Sequence, residues 1–323
     1  MTKQSIYKQP FALFLSGILS AATLGYWASV QAQRQPQAQP QQTTPPKFTS
    51  FKDAGKLRIQ GSDKPFLPSG LGQSAKPNEG GTRGIPDQID NRIPMLSRKY
   101  PWSTIGRVQG TTADAGSYHC TGALIGEDIV LTNAHCVIDP GNGKLSQRIE
   151  FLPNVIDGQV QDRRDVANVT QVVYGTDFKE GATLNANDWA VMKINKPLGR
   201  KYGYLGVKSV ASSSLIRNQK KYFFVGYSGD FPSAKYQQYF PAGPGFTASF
   251  QAGCSILREE ANFLLHDCDT AGGSSGGPII AMVNGEPYVI ALNEGEVKNS
   301  TTKRDLYNVA VKMDFLDKLT ARN

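Results

Sequence analysis

A glycine-rich stretch at 267–278 carries two adjacent serines, Ser274 and Ser275, with paired glycines on both sides. Glycine adopts backbone angles that other residues resist, so the N–H groups around a serine can turn toward one point. Acyl transfer needs such an arrangement, because a hydroxyl attacks a carbonyl and backbone donors stabilise the oxygen that becomes negative. The stretch also fits a flexible glycine–serine loop. The choice between the two depends on the rest of the chain.

Two other segments supply the partners that a serine nucleophile needs. The apolar residues at 129–130 predict a buried strand that delivers His135 at its end. Asp188 directly precedes another short apolar run, whereas the nearby Asp165 and Asp177 do not. The order histidine, aspartate, serine is that of the chymotrypsin-type triad, and it differs from the orders in subtilisin and the α/β-hydrolases.

The three segments together resemble a known family. Thr-Asn-Ala-His-Cys at 132–136, Asn-Asp-Trp-Ala-Val at 187–191 and Gly-Gly-Ser-Ser-Gly-Gly-Pro at 272–278 are similar to the signature segments of chymotrypsin-like serine proteases. The bacterial branch that contains the glutamyl endopeptidases is the most similar. The resemblance extends over about 92–319.

The resemblance implies a role for each of these residues. Ser275 corresponds to the nucleophile, because Gly-Gly-Pro follows it directly as in the family. His135 corresponds to the general base, and Asp188 to the carboxylate that orients it. The N–H groups of Gly273 and Ser275 correspond to the oxyanion hole. The implied activity is a serine endopeptidase that cleaves protein or peptide substrates through an acyl-enzyme and needs no metal or organic cofactor.

Two other functional classes stay open. A protease-like domain can bind peptides or partners without cleaving them, and a lipid or ester hydrolase uses the same acyl-transfer chemistry. Nucleic acid is not expected as a partner, because the formal net charge of +8 comes from basic residues scattered among acidic ones. We expect a monomer.

The N-terminal sequence has the pattern of a secretory signal. Lys3 and Lys8 precede an apolar segment at 11–30, and small residues before Ala32 fit a cleavage site, so 1–32 is predicted to be a signal peptide. A retained membrane anchor is the alternative, because the apolar run is nearly long enough to span a bilayer. The mature protein is expected to be secreted or periplasmic, without membrane contact.

Residues 33–90 are predicted to be a spacer and possible propeptide. The part at 33–47 is mostly glutamine and proline, which cannot form a packed core. The part at 48–90 is rich in glycine, proline and lysine, and it is either a propeptide or an extension of the spacer.

From residue 91 the chain shows short apolar runs separated by turn signals, which favour antiparallel β-barrels or a sandwich. Asn284 and Gly285 predict a hairpin between two of these runs. The resemblance implies an all-β fold of two six-stranded antiparallel barrels. We divide them into 91–200, with the histidine and aspartate, and 201–323, with the nucleophile. Helical spacing over 314–322 predicts a short C-terminal helix.

The cysteines predict a disulfide framework, since four of them follow a predicted signal peptide. The resemblance pairs Cys120 with Cys136 and Cys254 with Cys268. Zinc is the rival, because Cys120 and Cys136 each follow a histidine. Adjacent residues on a strand point to opposite faces, and an exported protein lies in an oxidising compartment, so no metal site is expected.

The specificity pocket gives conflicting signals. Asp269 lies six residues before Ser275, where an aspartate selects lysine and arginine in trypsin-like relatives. Glutamate-cleaving relatives also carry Asp-Thr here, as in Asp269 and Thr270, but they rely on a histidine where this chain has Asn293. We therefore expect cleavage after a basic residue, with small or uncharged residues as the alternative. Ser274 replaces the aspartate that receives a new N-terminal ammonium in animal relatives, so that ion-pair switch is expected to be absent.

Overall fold

The computed structural model describes residues 44–54, 62, 64–69, 71, 90–179, 184–298 and 305–320. The predicted signal peptide at 1–32 and most of the predicted spacer and propeptide at 33–90 lie outside the described residues. No helix in the described ranges is long and apolar enough to cross a membrane.

The described chain is built mainly from short strands. In chain order they are β1 (Lys47–Ser50), β2 (Ile93–Pro94), β3 (Ile105–Thr111), β4 (Ser117–Leu124), β5 (Ile129–Thr132), β6 (Arg148–Pro153), β7 (Ala167–Tyr174), β8 (Ala190–Ile194), β9 (Gly206–Val207), β10 (Tyr222–Gly226), β11 (Ser249–Cys254), β12 (Ile256–Glu260), β13 (Phe263–His266), β14 (Pro278–Val283), β15 (Glu286–Lys298) and β16 (Asp305–Lys312). The helices are α1 (Gly199–Tyr202), α2 (Ser212–Arg217), α3 (Ala234–Gln237) and α4 (Phe315–Thr320).

The first sheet closes into a six-stranded barrel. Its strands follow the order β7-β6-β3-β4-β5-β8, and antiparallel pairing of β7 with β8 completes the ring. Alternate side chains of these strands point inward, so residues such as Val108, Phe151 and Met192 are fully buried. The antiparallel pairing of β5 with β8 brings the segments around His135 and Asp188 together.

The second sheet is an open half-barrel. Its main path is β12-β13-β16-β15-β14-β10-β11-β2, with β9 beside β15. The predicted all-β double-barrel fold with a short C-terminal helix is confirmed, and the described part of that helix is Phe315–Thr320. The two-residue strand β2 joins the second sheet, although it lies in the range predicted for the first barrel.

Part of the segment predicted as spacer is a strand. β1 pairs in parallel with β7 in the register Lys47 to Gln171. Phe51, which follows β1, places its ring edge-on against Trp189 at 5.4 Å between centroids. Such a short strand gives no periodicity of its own, because its partner lies far along the sequence.

The two disulfides have the pairing that the resemblance implies. Cys120 on β4 is joined to Cys136, which follows β5, and Cys254 at the end of β11 is joined to Cys268. The first bond ties the segment of His135 to β4, and the second braces the entry to the glycine-rich loop. Loops of this size contribute about 3 kcal/mol each on a chain-entropy estimate.

The C-terminal helix is attached to the core by an aromatic stack. The ring of Phe315 lies parallel to that of Trp189, with an interplanar angle of 8° and 4.2 Å between centroids. Both side chains are buried. The helix therefore packs on the residue that follows Asp188.

Replacing Phe315 by alanine is expected to destabilise the protein by about 3 kcal/mol, because a large buried ring is lost and a cavity remains. Urea denaturation of the Phe315→Ala protein measures this loss. The control is Leu306→Ala, since Leu306 is 37% exposed on β16 and its truncation should cost less than about 1 kcal/mol. Equal stability of the two variants would contradict the packing role of the helix.

Candidate active site

His135 is held at the end of a buried strand. All four residues of β5 are buried, and Asn133 then leads into one turn of 3-10 helix at Ala134–Cys136. Ala134 and Cys136 are buried on either side of the histidine, whose side chain remains 24% exposed. The local sequence therefore anchors the backbone and leaves one imidazole edge open.

Asp188 contacts His135 through both carboxylate oxygens. Its Oδ1 accepts from the His135 backbone N–H at 2.9 Å, and its Oδ2 contacts His135 Nδ1 at 2.5 Å. The Asp188 side chain is 2% exposed, and its backbone carbonyl accepts from the Asn133 side chain at 2.6 Å. This contact favours a proton on Nδ1, which leaves Nε2 as the free base.

The electrostatics of His135 reflect two opposing effects. Burial lowers the pKa of the imidazole, but the negative charge of Asp188 and the hydrogen bond to it outweigh burial, so the pKa lies above its ordinary value. A histidine in this setting is a stronger base than an isolated imidazole.

Ser275 lies in a tightly tethered loop between β13 and β14. Its carbonyl oxygen accepts from Thr121 N at 2.8 Å, and the following Gly276 N donates to Asn293 O at 2.9 Å. The Ser275 hydroxyl donates to Glu294 O at 3.2 Å, and no hydrogen bond joins it to His135 among the described residues. Hydrogen bonds between catalytic groups are often long in free enzymes and tighten when substrate binds.

Two glycines give the loop its shape. Gly273 has φ +94° and Gly276 has φ +79°, both in the region that favours glycine. A Cβ on Gly273 would lie 2.6 Å from Tyr227 O and would also clash with the ring of His119. The Gly273 carbonyl accepts from the Thr121 hydroxyl at 3.0 Å. The amides of Gly273 and Ser275 donate to no backbone carbonyl of the described chain.

Ser274 supports the loop with neutral hydrogen bonds. Its hydroxyl donates to Ala271 O at 2.5 Å and accepts from Ala271 N at 3.2 Å. The Asn293 side chain lies 3.4 Å from the same hydroxyl, and its Oδ1 contacts His266 Nε2 at 3.2 Å. No carboxylate takes part in these contacts, so they depend on neutral groups alone.

Asn293 lies next to the loop of Ser274 in the structure. It is 2% exposed, and its side-chain amide contacts Ser274 and His266. His266 is fully buried, and burial lowers its pKa to about 4. The imidazole is therefore uncharged at neutral pH.

Asp269 is buried at the edge of the same loop, next to the half-buried Thr270. Its Oδ2 accepts from Asn91 N at 3.0 Å, whereas Oδ1 has no hydrogen-bond partner among the described residues. Burial raises the pKa of Asp269 to about 7, and the Asn91 amide opposes that shift. The contact with Asn91 was not predicted, because it joins residues 178 positions apart.

Glu294 is a site residue that sequence reasoning missed. Its carboxyl is buried, Oε1 accepts from Asn185 N at 2.7 Å, and Oε2 has no partner among the described residues. Burial, together with the charge of Asp188, raises the pKa of Glu294 to about 9. A glutamate that directly continues the apolar run of β15 was the signal available in the sequence.

One cluster has the composition of a metal site. Ligand atoms of Cys120, His135 and Cys136 lie within 4.8 Å of one another. The two sulfurs are bonded to each other, however. A disulfide offers no thiolate, so this cluster does not fit zinc.

Sequence comparison gives a family match over most of the chain. A family model described as "Trypsin" matches residues 96–319. Among curated proteins, CLIP domain-containing serine protease B4 of Anopheles gambiae is 21% identical over 240 residues, which cover 64% of this chain and 62% of the relative. Serine protease 23 of Rattus norvegicus is 28% identical over 197 residues, which cover 55% of this chain and 44% of the relative. The matches thus span 62% and 44% of these relatives' own lengths.

Solved structures share the fold at low sequence identity. A Glu endopeptidase in complex with MPD superposes with a TM-score of 0.55 at 22% identity, covering 72% of this chain and 96% of that one. The protease Anisep from Arthrobacter nicotinovorans gives a TM-score of 0.51 at 18% identity, covering 67% and 92%.

Gly273→Ala is expected to reduce activity about 100-fold or more, because the clash with Tyr227 O displaces an amide that would face a developing oxyanion. Labelling by a fluorophosphonate, which reports an activated serine, measures the effect. Gly272→Ala is the matched control, since a Cβ there meets no atom within 4 Å. Loss of labelling in both variants, or in neither, would contradict the assignment of Gly273.

Proposed function

The chain belongs to the trypsin family, and we propose that it is a serine endopeptidase in which Ser275, His135 and Asp188 form the catalytic triad. The observation that carries this proposal is the pair of contacts between the buried Asp188 carboxylate and His135, at 2.5 Å to Nδ1 and 2.9 Å to the backbone N–H. That geometry serves a histidine that must accept and return a proton.

The proposed reaction follows from these positions. The hydroxyl of Ser275 attacks the scissile carbonyl while His135 Nε2 takes its proton, and the Asp188 carboxylate stabilises the imidazolium. The amides of Gly273 and Ser275 donate to the oxygen that becomes negative. The proton then passes to the leaving amine, which departs and leaves an acyl-enzyme. Water then attacks the acyl-enzyme by the same route, so that the acid product leaves and Ser275 regains its proton.

Two features support the setting of this activity. The disulfides favour an oxidising compartment, so we propose a secreted or periplasmic enzyme. Trypsin-family membership supports peptide or protein substrates over lipids and simple esters. Digestion of casein, compared with hydrolysis of a short-chain ester, tests the substrate class.

A basic residue on the acyl side of the scissile bond is the proposed substrate preference. Asp269 Oδ1 is a buried acceptor without a partner among the described residues. A lysine or arginine side chain of the substrate would satisfy this oxygen, and burial of an unpaired charge is costly. Small or uncharged residues remain the runner-up.

Ser275→Ala is expected to abolish both peptide hydrolysis and fluorophosphonate labelling, because the attacking hydroxyl is lost. Ser274→Ala should react more slowly, since its hydroxyl braces Ala271, but it should still be labelled. Mass spectrometry of the labelled peptide locates the modified serine. Labelling that persists in the Ser275→Ala protein would overturn the assignment, and an unlabelled wild-type protein would favour a silent binding domain.

The preference for a basic residue is expected to rise with pH. Below about 7 the Asp269 carboxyl keeps its proton in the free enzyme and offers no charge, whereas above about 7 it becomes a carboxylate. The ratio of kcat/KM for an arginine over a glutamine peptide should therefore increase between about pH 6 and about pH 8. Asp269→Asn should lower this ratio and flatten its pH dependence.

Asp267→Asn is the control for that measurement, because Asp267 contacts Ser255 N at 2.6 Å and not Asn91. Its ratio should follow that of the wild-type protein. Dominant cleavage after glutamate in a peptide library would show that Asp269 does not determine the preference.

A further inference from the structure

Glu294 contacts both halves of the proposed catalytic centre. Its backbone carbonyl accepts from the Ser275 hydroxyl at 3.2 Å, and its side chain reaches the turn that carries Asp188. Since β15 belongs to the half-barrel and the turn belongs to the closed barrel, one residue connects the nucleophile loop with the segment of the aspartate.

The turn at 185–188 depends on this contact. Asp188 N donates to Asn185 O at 2.7 Å, and Asn187 N donates to the Asn185 side chain at 2.9 Å. Asn185 N donates to Glu294 Oε1 at 2.7 Å. The carboxyl of Glu294 therefore holds Asn185, the first residue of the turn, and Asn185 holds the backbone of Asp188.

The surroundings of the second carboxyl oxygen indicate that the Glu294 carboxyl is uncharged. Oε2 of Glu294 is buried and has no hydrogen-bond partner among the described residues. An ionised carboxylate here would leave a buried negative oxygen unpaired in the field of Asp188, which is strongly unfavourable. A proton on Oε2 removes that charge.

We propose that Glu294 is a positioning residue whose side chain, as an uncharged carboxylic acid, holds the 185–188 turn so that Asp188 faces His135. The inference rests on the proposed triad and assigns Glu294 no contact with the substrate's reacting atoms through its side chain. Among the described residues, the titratable groups that face this carboxyl are Asp188 and, beyond it, His135.

The role has a pH signature. Ionisation of Glu294 at alkaline pH would add a second negative charge beside Asp188 and push the turn away from β15. That charge would also raise the pKa of His135. The activity of the wild-type enzyme should therefore fall in the alkaline range.

The experiment compares Glu294→Ala and Glu294→Gln with the wild-type full chain. Glu294→Ala leaves Asn185 N without its acceptor, so kcat should fall about tenfold to a hundredfold with KM little changed. Glu294→Gln keeps a neutral oxygen for Asn185 N and a donor beside it, so kcat should stay within a few-fold at neutral pH. Because an amide does not ionise, the alkaline fall should be absent or displaced in the glutamine variant.

Glu286→Gln is the matched control, since Glu286 is exposed at the other end of the same strand. It should keep the wild-type kcat and alkaline profile. Full activity of Glu294→Ala, or a glutamine variant as impaired as the alanine variant, would overturn the inference. NMR titration of His135 gives a second readout, because the imidazole should respond to the alkaline ionisation in the wild-type and Glu286→Gln proteins and not in the Glu294→Gln protein. Failure of the proposed function is recognised separately, since the wild-type protein itself would then not be labelled by a fluorophosphonate.

Discussion

The geometry of the site depends on the contact between the buried carboxylate of Asp188 and His135. A carboxylate with 2% side-chain exposure is costly unless hydrogen bonds satisfy it. His135 provides two of them, through its backbone N–H and its ring. The same contacts that compensate burial therefore fix the imidazole, so stability of the barrel and orientation of the base are not separable.

The closed barrel and the half-barrel meet at this point through neutral groups. Thr121 on β4 donates to the Gly273 carbonyl and accepts from Tyr227 N, while its backbone N–H binds the Ser275 carbonyl. Ser274 contributes hydroxyl contacts within the loop. Because these bonds carry no formal charge, the shape of the loop is less sensitive to pH and salt than an ion pair would make it.

Local patterns were sufficient to anticipate a fold of short antiparallel strands and the placement of two site residues, whereas the double barrel was implied by the family resemblance. His135 lies at the end of β5 and Asp188 just before β8, as the apolar runs indicated. The open second sheet, the strand β1 and the contact of Asn91 with Asp269 could not be derived in this way. Each of these depends on a partner far along the chain, and a periodicity within one segment contains no information about that partner.

Three buried carboxyl groups of the site residues have different hydrogen-bond donors. Asp188 receives two N–H groups from a residue that can itself carry positive charge. Asp269 receives one amide from Asn91, and burial raises its pKa to about 7.

Glu294 also receives one amide, but it lies in the negative field of Asp188, so its pKa rises further. The type of residue alone does not distinguish these cases, since all three are acids beside apolar strands. The negative charge of Asp188 explains why the pKa of Glu294 rises further than that of Asp269. A single carboxylate can then serve the histidine without a second negative charge competing for it.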